Sequence, residues 1–235
     1  MLVMSKLDMN LRTYLLQNHH KLTWTAKIGI AFSIVMALDR IHHQNKIHRD
    51  LHSGNVLFNQ AAQRFHLSDL GFCGPANKPL NSIYGTLPYM APEVITGKET
   101  TNASDIYSIG MLMWEISSGQ PPFIDYEHNY ELAMKIVNGM RPKIVPGTPT
   151  EYRELMEQCW DADVTKRPHC TCEVGMELRD LTREYFQNNS QLIISDQDSD
   201  IPIRNNFITS NYSSKVFQFK NLPEPRNATE GRNIL

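Results

Sequence analysis

Cysteine is scarce in this chain. Four in 235 residues, Cys73, Cys159, Cys170 and Cys172, do not make a disulfide framework. That excludes the small stapled secreted scaffolds and leaves a reducing, intracellular, cytoplasmic setting as the expectation. No apolar run reaches the roughly 18–20 residues that a membrane span needs. Residues 1–10 have neither the basic start nor the apolar stretch of a signal peptide. Positive charge is not in excess: 23 Lys and Arg against 25 Asp and Glu leave a formal net charge of −2. Nucleic-acid affinity comes mainly from clustered cations on phosphates, so neither a nucleic acid nor a membrane is an expected partner. No internal repeat is present. What remains is ordinary globular composition, 41% hydrophobic and 20% charged, with length enough for one large domain and its core.

Periodicity places the elements. Leu2-Val3-Met4 reads as the end of a strand. Trp24, Ile28, Ala31, Val35, Leu38 and Ile41 recur at steps of three and four, one apolar stripe that predicts a helix over 25–42. Val56-Leu57-Phe58 and Phe65-His66-Leu67 flank a turn and predict a small hairpin. Residues 69–93 carry so many glycines and prolines that they predict an extended, irregular segment. Residues 105–117 are apolar nearly all round, which predicts a helix in the centre of a core. Further helices are expected over 130–137, from Thr148 to about Trp160 and over 171–186. Thr148 and Thr171 are the expected caps, and Glu151 completes a capping box. Beyond Gln187 the composition turns to Asn, Ser, Asp and Pro. Such a segment cannot bury enough surface to offset its ordering entropy, so 187–235 is expected to be disordered, with Val216-Phe217-Gln218-Phe219 as the one stretch suited to docking.

Three stretches carry the chemistry. His48-Arg49-Asp50-Leu51-His52-Ser53-Gly54-Asn55 sets an Asp five residues before an Asn, between a helix and a hairpin. Asp69-Leu70-Gly71 follows the hairpin, and Gly85-Thr86-Leu87-Pro88-Tyr89-Met90-Ala91-Pro92-Glu93 comes after that. With Ser104-Asp105-Ile106-Tyr107-Ser108-Ile109-Gly110, Gly119-Gln120-Pro121-Pro122-Phe123, and Cys159-Trp160 through Lys166-Arg167-Pro168, these motifs resemble, in order and spacing, the C-terminal lobe of a eukaryotic protein kinase of the tyrosine-kinase-like group. The tail's Phe219 to Arg226 is similar, more weakly, to tails in a large fungal set of such kinases.

The resemblance implies an α+β fold, predominantly α, with a short β-hairpin and without the N-terminal β lobe. Residues 1–8 would be the end of the last upper-lobe strand and the hinge, 9–186 the C-lobe, and 187–235 the tail. It implies transfer of the ATP γ-phosphate to a protein Ser or Thr hydroxyl, with Mg²⁺ as cofactor, by a truncated domain expected to be inactive or weak alone. Asp50 would be the base that orients the hydroxyl, and Asn55 and Asp69 the oxygen ligands that hard Mg²⁺ prefers. Arg49 would receive a phosphorylated residue of the activation segment, Ser82 or Tyr84. Thr86 would contact Asp50 and fit the site to Ser or Thr. Met4, Ser5, Lys6 and Leu7 would form the hinge against adenine, with Leu57 as the pocket floor and Ser68 nearby. Glu93 and Arg167 would form a buried ion pair, Asp105 would anchor the catalytic loop, and His48 would pack beneath it.

The departures from the family are as informative. Leu70 stands where the Mg-binding triplet has Phe and is expected to pack in its place. His52 stands where serine/threonine kinases have a Lys, so less charge reaches the γ-phosphate unless the imidazole is protonated. The Gly-rich loop, the strand Lys and its partner Glu do not occur in the chain. A second reading is therefore a non-catalytic, pseudokinase-like binding scaffold, with a partner covering apolar surface at Leu2, Val3, Met4, Leu7 and Leu57. A third is an incomplete gene. His169, Cys170 and Cys172 cluster but lack the fourth ligand of a structural metal site.

Overall fold

The computed structural model describes residues 8–71, 73–75, 83–189, 212–219 and 221–228. Strand β1 (Met9–Asn10) runs directly into helix α1 (Leu11–Asn18). The Asn10 side chain caps α1 by accepting from the Thr13 N–H at 2.9 Å. This helix is absent from the sequence reading; two turns are too few for the apolar stripe that reveals a longer helix. Helix α2 (Trp24–His42) follows, with Thr23 as its cap. Next come β2 (Lys46–Ile47), the catalytic-loop stretch, and the expected hairpin β3 (Val56–Asn59) and β4 (Arg64–Leu67). In the hairpin, Val56 pairs with Leu67 and Asn59 with Arg64. Strands β5 (Gly74–Pro75) and β6 (Ile83–Gly85) punctuate the irregular segment, and α3 (Pro92–Ile95) closes it. Helices α4 (Asn102–Ser118), α5 (Tyr130–Val137), α6 (Thr150–Cys159) and α7 (Thr171–Asn189) complete the lobe.

Helix α4 is central because of its sequence. Every residue from Ser104 to Met113 is buried. Gly110 lets α6 approach: a Cβ there would lie 3.0 Å from Cys159 Cβ and 3.1 Å from the Met156 carbonyl. The amphipathic helices pack around this centre. Val174, Leu178 and Leu181 turn one stripe of α7 inward, and α7 lies along α2. Burying these side chains stabilises by about 1.5–3 kcal/mol each.

Four expectations need correction. Helix α6 starts at Thr150 without a side-chain cap, because Pro149 occupies the cap position; the Thr148 hydroxyl donates to the Val145 carbonyl at 2.7 Å. Thr171 does not cap either; its hydroxyl donates to Asp39 Oδ1 on α2 at 2.7 Å. Cys170 and Cys172 are joined by a disulfide. It closes a ring too short to restrain distant chain, and Cys73 and Cys159 remain free thiols. The fourth concerns the tail. Residues 212–219 and 221–228 are packed on the lobe, and Lys215–Phe217 forms strand β7, antiparallel to β6. The tail builds no core of its own; it adds a strand to an existing edge, so the folded lobe offsets its ordering entropy. Val216-Phe217-Gln218-Phe219 does dock, with the rings of Phe217 and Phe219 stacked at 5.3 Å.

The last described stretch crosses beyond the end of α5. The Arg226 N–H donates to the Val137 carbonyl at 3.0 Å. Asn227 Oδ1 accepts from the Ala162 N–H, and its Nδ2 donates to Asp161, both at 2.8 Å. Gly139, at φ +96°, lies directly beneath; a Cβ there would come within 2.6 Å of the Asn227 carbonyl carbon.

Candidate functional site

One carboxylate fixes the loop between β2 and β3. Asp105, in the first turn of α4, accepts from the backbone N–H groups of His48 (2.8 Å) and Arg49 (3.0 Å) and pairs with His42 Nε2 at 2.9 Å. The loop needs such a clamp because Arg49 takes a left-handed φ of +72°, a conformation that persists only when its surroundings over-determine it. His48 is fully buried beneath the loop, with Nε2 3.1 Å from the Ser68 carbonyl. The guanidinium of Arg49 lies against Gly74; a Cβ there would sit 2.7 Å from Nη1. The Glu93–Arg167 pair is buried and bidentate, with both contacts 2.7 Å.

The loop delivers two oxygen-bearing side chains, Asp50 and Asn55, and the chain after β4 adds a third, Asp69. Asn55 Nδ2 donates to the Asp50 carbonyl at 3.0 Å, which fixes the amide and turns its Oδ1 to the role of acceptor or ligand. The Ser68 N–H and hydroxyl both donate to the Asn55 carbonyl, at 2.9 and 3.0 Å, so Ser68 helps to position Asn55. Asp69, after β4, is exposed and has a left-handed φ of +56°. Its charge is close enough to Asp50 to help raise that carboxyl's pKa. Among the described residues no group of three or more His, Cys, Asp or Glu could hold a metal by itself. Asn55 and Asp69 nonetheless fit Mg²⁺, which keeps waters and substrate phosphates and takes only one or two protein carboxylates.

Asp50 is buried, and burial raises its pKa above the ordinary carboxylate range. Its Oδ2 accepts a 2.6 Å hydrogen bond from the hydroxyl of Ser214 in the tail. Ser214 Oγ is also 3.2 Å from Thr86 Oγ1 and 3.3 Å from His52 Nε2. The Tyr84 hydroxyl is a further side-chain hydrogen-bond partner of Ser214. Burial, then Arg12 and His48, pull the His52 pKa down to about 3, so the imidazole is neutral. Its Nδ1 accepts from the Gly54 N–H at 3.1 Å, which assigns the ring proton to Nε2, facing Ser214. Gly54 must be glycine for this; a Cβ would lie 2.7 Å from His52 Cε1. Gly85, at φ +144°, takes a backbone conformation that side chains disfavour, and a Cβ there would lie 3.2 Å from Met90 Cε.

Asp50, His52 and Thr86 are thus brought together on one hydroxyl, with Asn55 alongside. Arg49 is held in the same loop but faces the irregular segment. Leu57 is half-buried in the sheet, paired with His66 and with Asn10. Leu70 does not pack in place of the family's Phe; it is 53% exposed. Met4, Ser5, Lys6 and Leu7, and with them the apolar hinge surface, lie outside the described residues, as do Ser82 and the upstream end of the irregular segment's second half. Tyr84 is half-buried in β6, paired with Val216.

The sequence reading missed Ser214 and Tyr212. Tyr212 is buried, its hydroxyl donating to the Pro122 carbonyl at 3.1 Å. Its ring lies 4.3 Å from the Arg12 guanidinium carbon and 4.7 Å from the His128 ring, edge to face. The available signal was an aromatic-rich island, Tyr212 to Phe219, within a polar tail.

The chain is similar to known proteins over most of its length. A family model described as protein tyrosine and serine/threonine kinase matches residues 1–174. A dual serine/threonine and tyrosine protein kinase of Homo sapiens is 37% identical over 172 residues, 72% of this chain and 18% of that protein. The protein of the same name in Apis mellifera is 36% identical over 157 residues, 63% of this chain and 16% of that protein. The chain therefore spans less than a fifth of the length of these relatives. Among the described residues no helix is long and apolar enough to cross a membrane.

Proposed function

We propose, from the premise that the chain belongs to the protein tyrosine and serine/threonine kinase family, that it transfers the γ-phosphoryl group of ATP to a serine or threonine hydroxyl. The observation that carries this reading is the 2.6 Å hydrogen bond between a serine hydroxyl and Asp50, within the range a general base requires.

The chain's own residues each do a physical task. Asp50 accepts the proton of the attacking hydroxyl, and its raised pKa makes it a better acceptor at the moment of transfer. His52, neutral and protonated on Nε2, donates to the same oxygen and, with Thr86, holds it on the Asp50 side. Asn55 and Asp69 would hold Mg²⁺, which supplies positive charge to the nucleotide phosphates when bound. Asp105 keeps the loop rigid, so that positioning and electrostatics, the main sources of catalysis in phosphoryl transfer, are in place beforehand.

The choice of Ser or Thr over Tyr rests on depth. The short Ser214 side chain spans the distance from a strand paired with β6 to Asp50. A tyrosine at the same register would carry its hydroxyl past the carboxylate. The test is phosphotransfer by the full-length protein, with Mg-ATP, to Ser- and Tyr-containing protein substrates. Asp50→Asn is expected to lower serine transfer about 10²–10⁴-fold, the range for a positioned general base. Undiminished transfer in that variant overturns the assignment, and a preference for tyrosine acceptors overturns the specificity.

A further inference from the structure

Tyr212–Phe217 does more than cover the cleft. A cover needs apolar bulk, whereas this segment presents an acceptor group to the base. Ser214 Oγ donates to Asp50 Oδ2 at 2.6 Å, and Thr86 Oγ1 and His52 Nε2 lie within hydrogen-bond distance of the same oxygen. The geometry points to Ser214 as a phosphorylation site of this chain's own making: the tail lies in the acceptor groove as a serine peptide substrate, and Ser214 receives the γ-phosphoryl group of ATP. This inference rests on the phosphotransfer reading above.

Two independent features hold the acceptor in place. The first is strand addition, with Lys215 paired to Gly85, Val216 to Tyr84 and Phe217 to Ile83. Backbone pairing of this kind supplies affinity while side-chain pockets supply selectivity. The second is a single deep pocket, filled by Tyr212 two residues before the acceptor. There the phenol donates to the Pro122 carbonyl, Arg12 covers the ring and His128 meets it edge-on. A buried, oriented aromatic with a satisfied hydroxyl is the usual form of a binding hot spot. By contrast Val216, two residues after the acceptor, is 59% exposed and adds little selectivity. The class of substrate this groove takes is therefore an extended serine peptide with a tyrosine at the second position before the serine.

The chemistry balances within the chain and its nucleotide. A bond forms between Ser214 Oγ and the γ-phosphorus, and the bond from that phosphorus to the β,γ-bridging oxygen breaks. ADP leaves with the electron pair, and the hydroxyl proton passes to Asp50. The product then carries about −1.5 to −2 charge near neutral pH, beside the carboxylates of Asp50 and Asp69, and has lost the O–H that bonded Asp50. Like-charge repulsion disfavours that arrangement, so transfer would release the segment and open the groove to other serine substrates.

The experiment is phosphosite mapping by mass spectrometry on the full-length protein with Mg-ATP, alongside a generic serine substrate protein. Phosphate is expected on Ser214 at a rate per molecule that does not change on dilution, absent in Ser214→Ala. Tyr212→Ala is expected to lower that rate about 10-fold or more, as loss of a buried aromatic anchor does. A second readout needs no nucleotide: amide hydrogen exchange over 83–85 and 215–217 is expected to be slow in the unphosphorylated protein and fast in Ser214→Glu. Labelling of the generic substrate with Ser214 unmodified overturns this inference and leaves the kinase reading standing. Labelling of neither overturns both. Fast exchange over 215–217 before any ATP is added overturns the seated tail.

Discussion

Two of the buried ion pairs among the described residues are built differently. Glu93 and Arg167 meet through two parallel 2.7 Å bonds, and Arg167 also donates to the carbonyls of Ala103 and Asp161. Arg12 and Glu115 approach only to 3.9 Å, and Arg12 Nε and Glu115 Oε1 have no hydrogen-bond partner. The first pair is complete within the lobe. The second leans on neighbours: Tyr89 donates to Glu115 at 2.6 Å, and Tyr212 from the tail stacks on Arg12. Burial raises the Glu115 pKa despite the Arg12 charge and the hydrogen bond from Tyr89. A pair that satisfies itself serves as scaffold, whereas a pair left open can be finished by whatever occupies the groove.

Substitutions test that contrast by size. Glu93→Gln is expected to destabilise by about 3–5 kcal/mol in urea unfolding, since it leaves the Arg167 charge buried and uncompensated. Glu115→Gln is expected to cost about 1.5 kcal/mol, because a neutral amide resembles the form that burial already favours. A larger loss at Glu115 than at Glu93 would break the comparison. The same carboxyl sets a pH trend. With its pKa raised on folding, the folded state holds the proton more tightly. Its contribution is whole below the unfolded value and is lost as pH rises from the ordinary carboxylate range through the folded value. Glu115→Gln should flatten that part of the stability–pH curve, and an unchanged slope would place the titration elsewhere. Tyr212→Phe is expected to cost about 1 kcal/mol, one hydrogen bond to Pro122. Lys98→Ala, which removes an exposed pair with Glu224, should cost under about 0.5 kcal/mol; a larger value would make that contact part of the tail's anchorage.

The sequence showed most of the lobe because its signals are local or periodic. The stripe from Trp24 to Ile41 marked α2, and the unbroken apolar run of α4 marked the centre. The spacing of Asp50, Asn55 and Asp69 marked the loop. The Glu93–Arg167 pair and the Asp105 clamp followed from the family resemblance. What escaped was set by register or by distant partners. Thr148 and Thr171 had the composition of caps, but they sit one position off the cap, with Pro149 before α6 and Thr171 already inside α7. Leu70 carried an apolar side chain to a place with nothing to receive it. The tail read as disordered because its own composition gives it no core. That reading counts only what a segment can bury against itself, and it cannot see an edge strand or a tyrosine pocket supplied by residues more than eighty positions away.

Gly139 gives the tail a geometric lock. The chain at Asn227 and Ala228 crosses so closely above it that one methyl group would occupy the same space. Its left-handed backbone also disfavours any side chain. A single hydrogen atom at this Cα thus sets the clearance of the whole strap, well removed from Asp50. Gly139→Ala would act as a wedge, prising up the anchored end while leaving every group in the cleft chemically as it was.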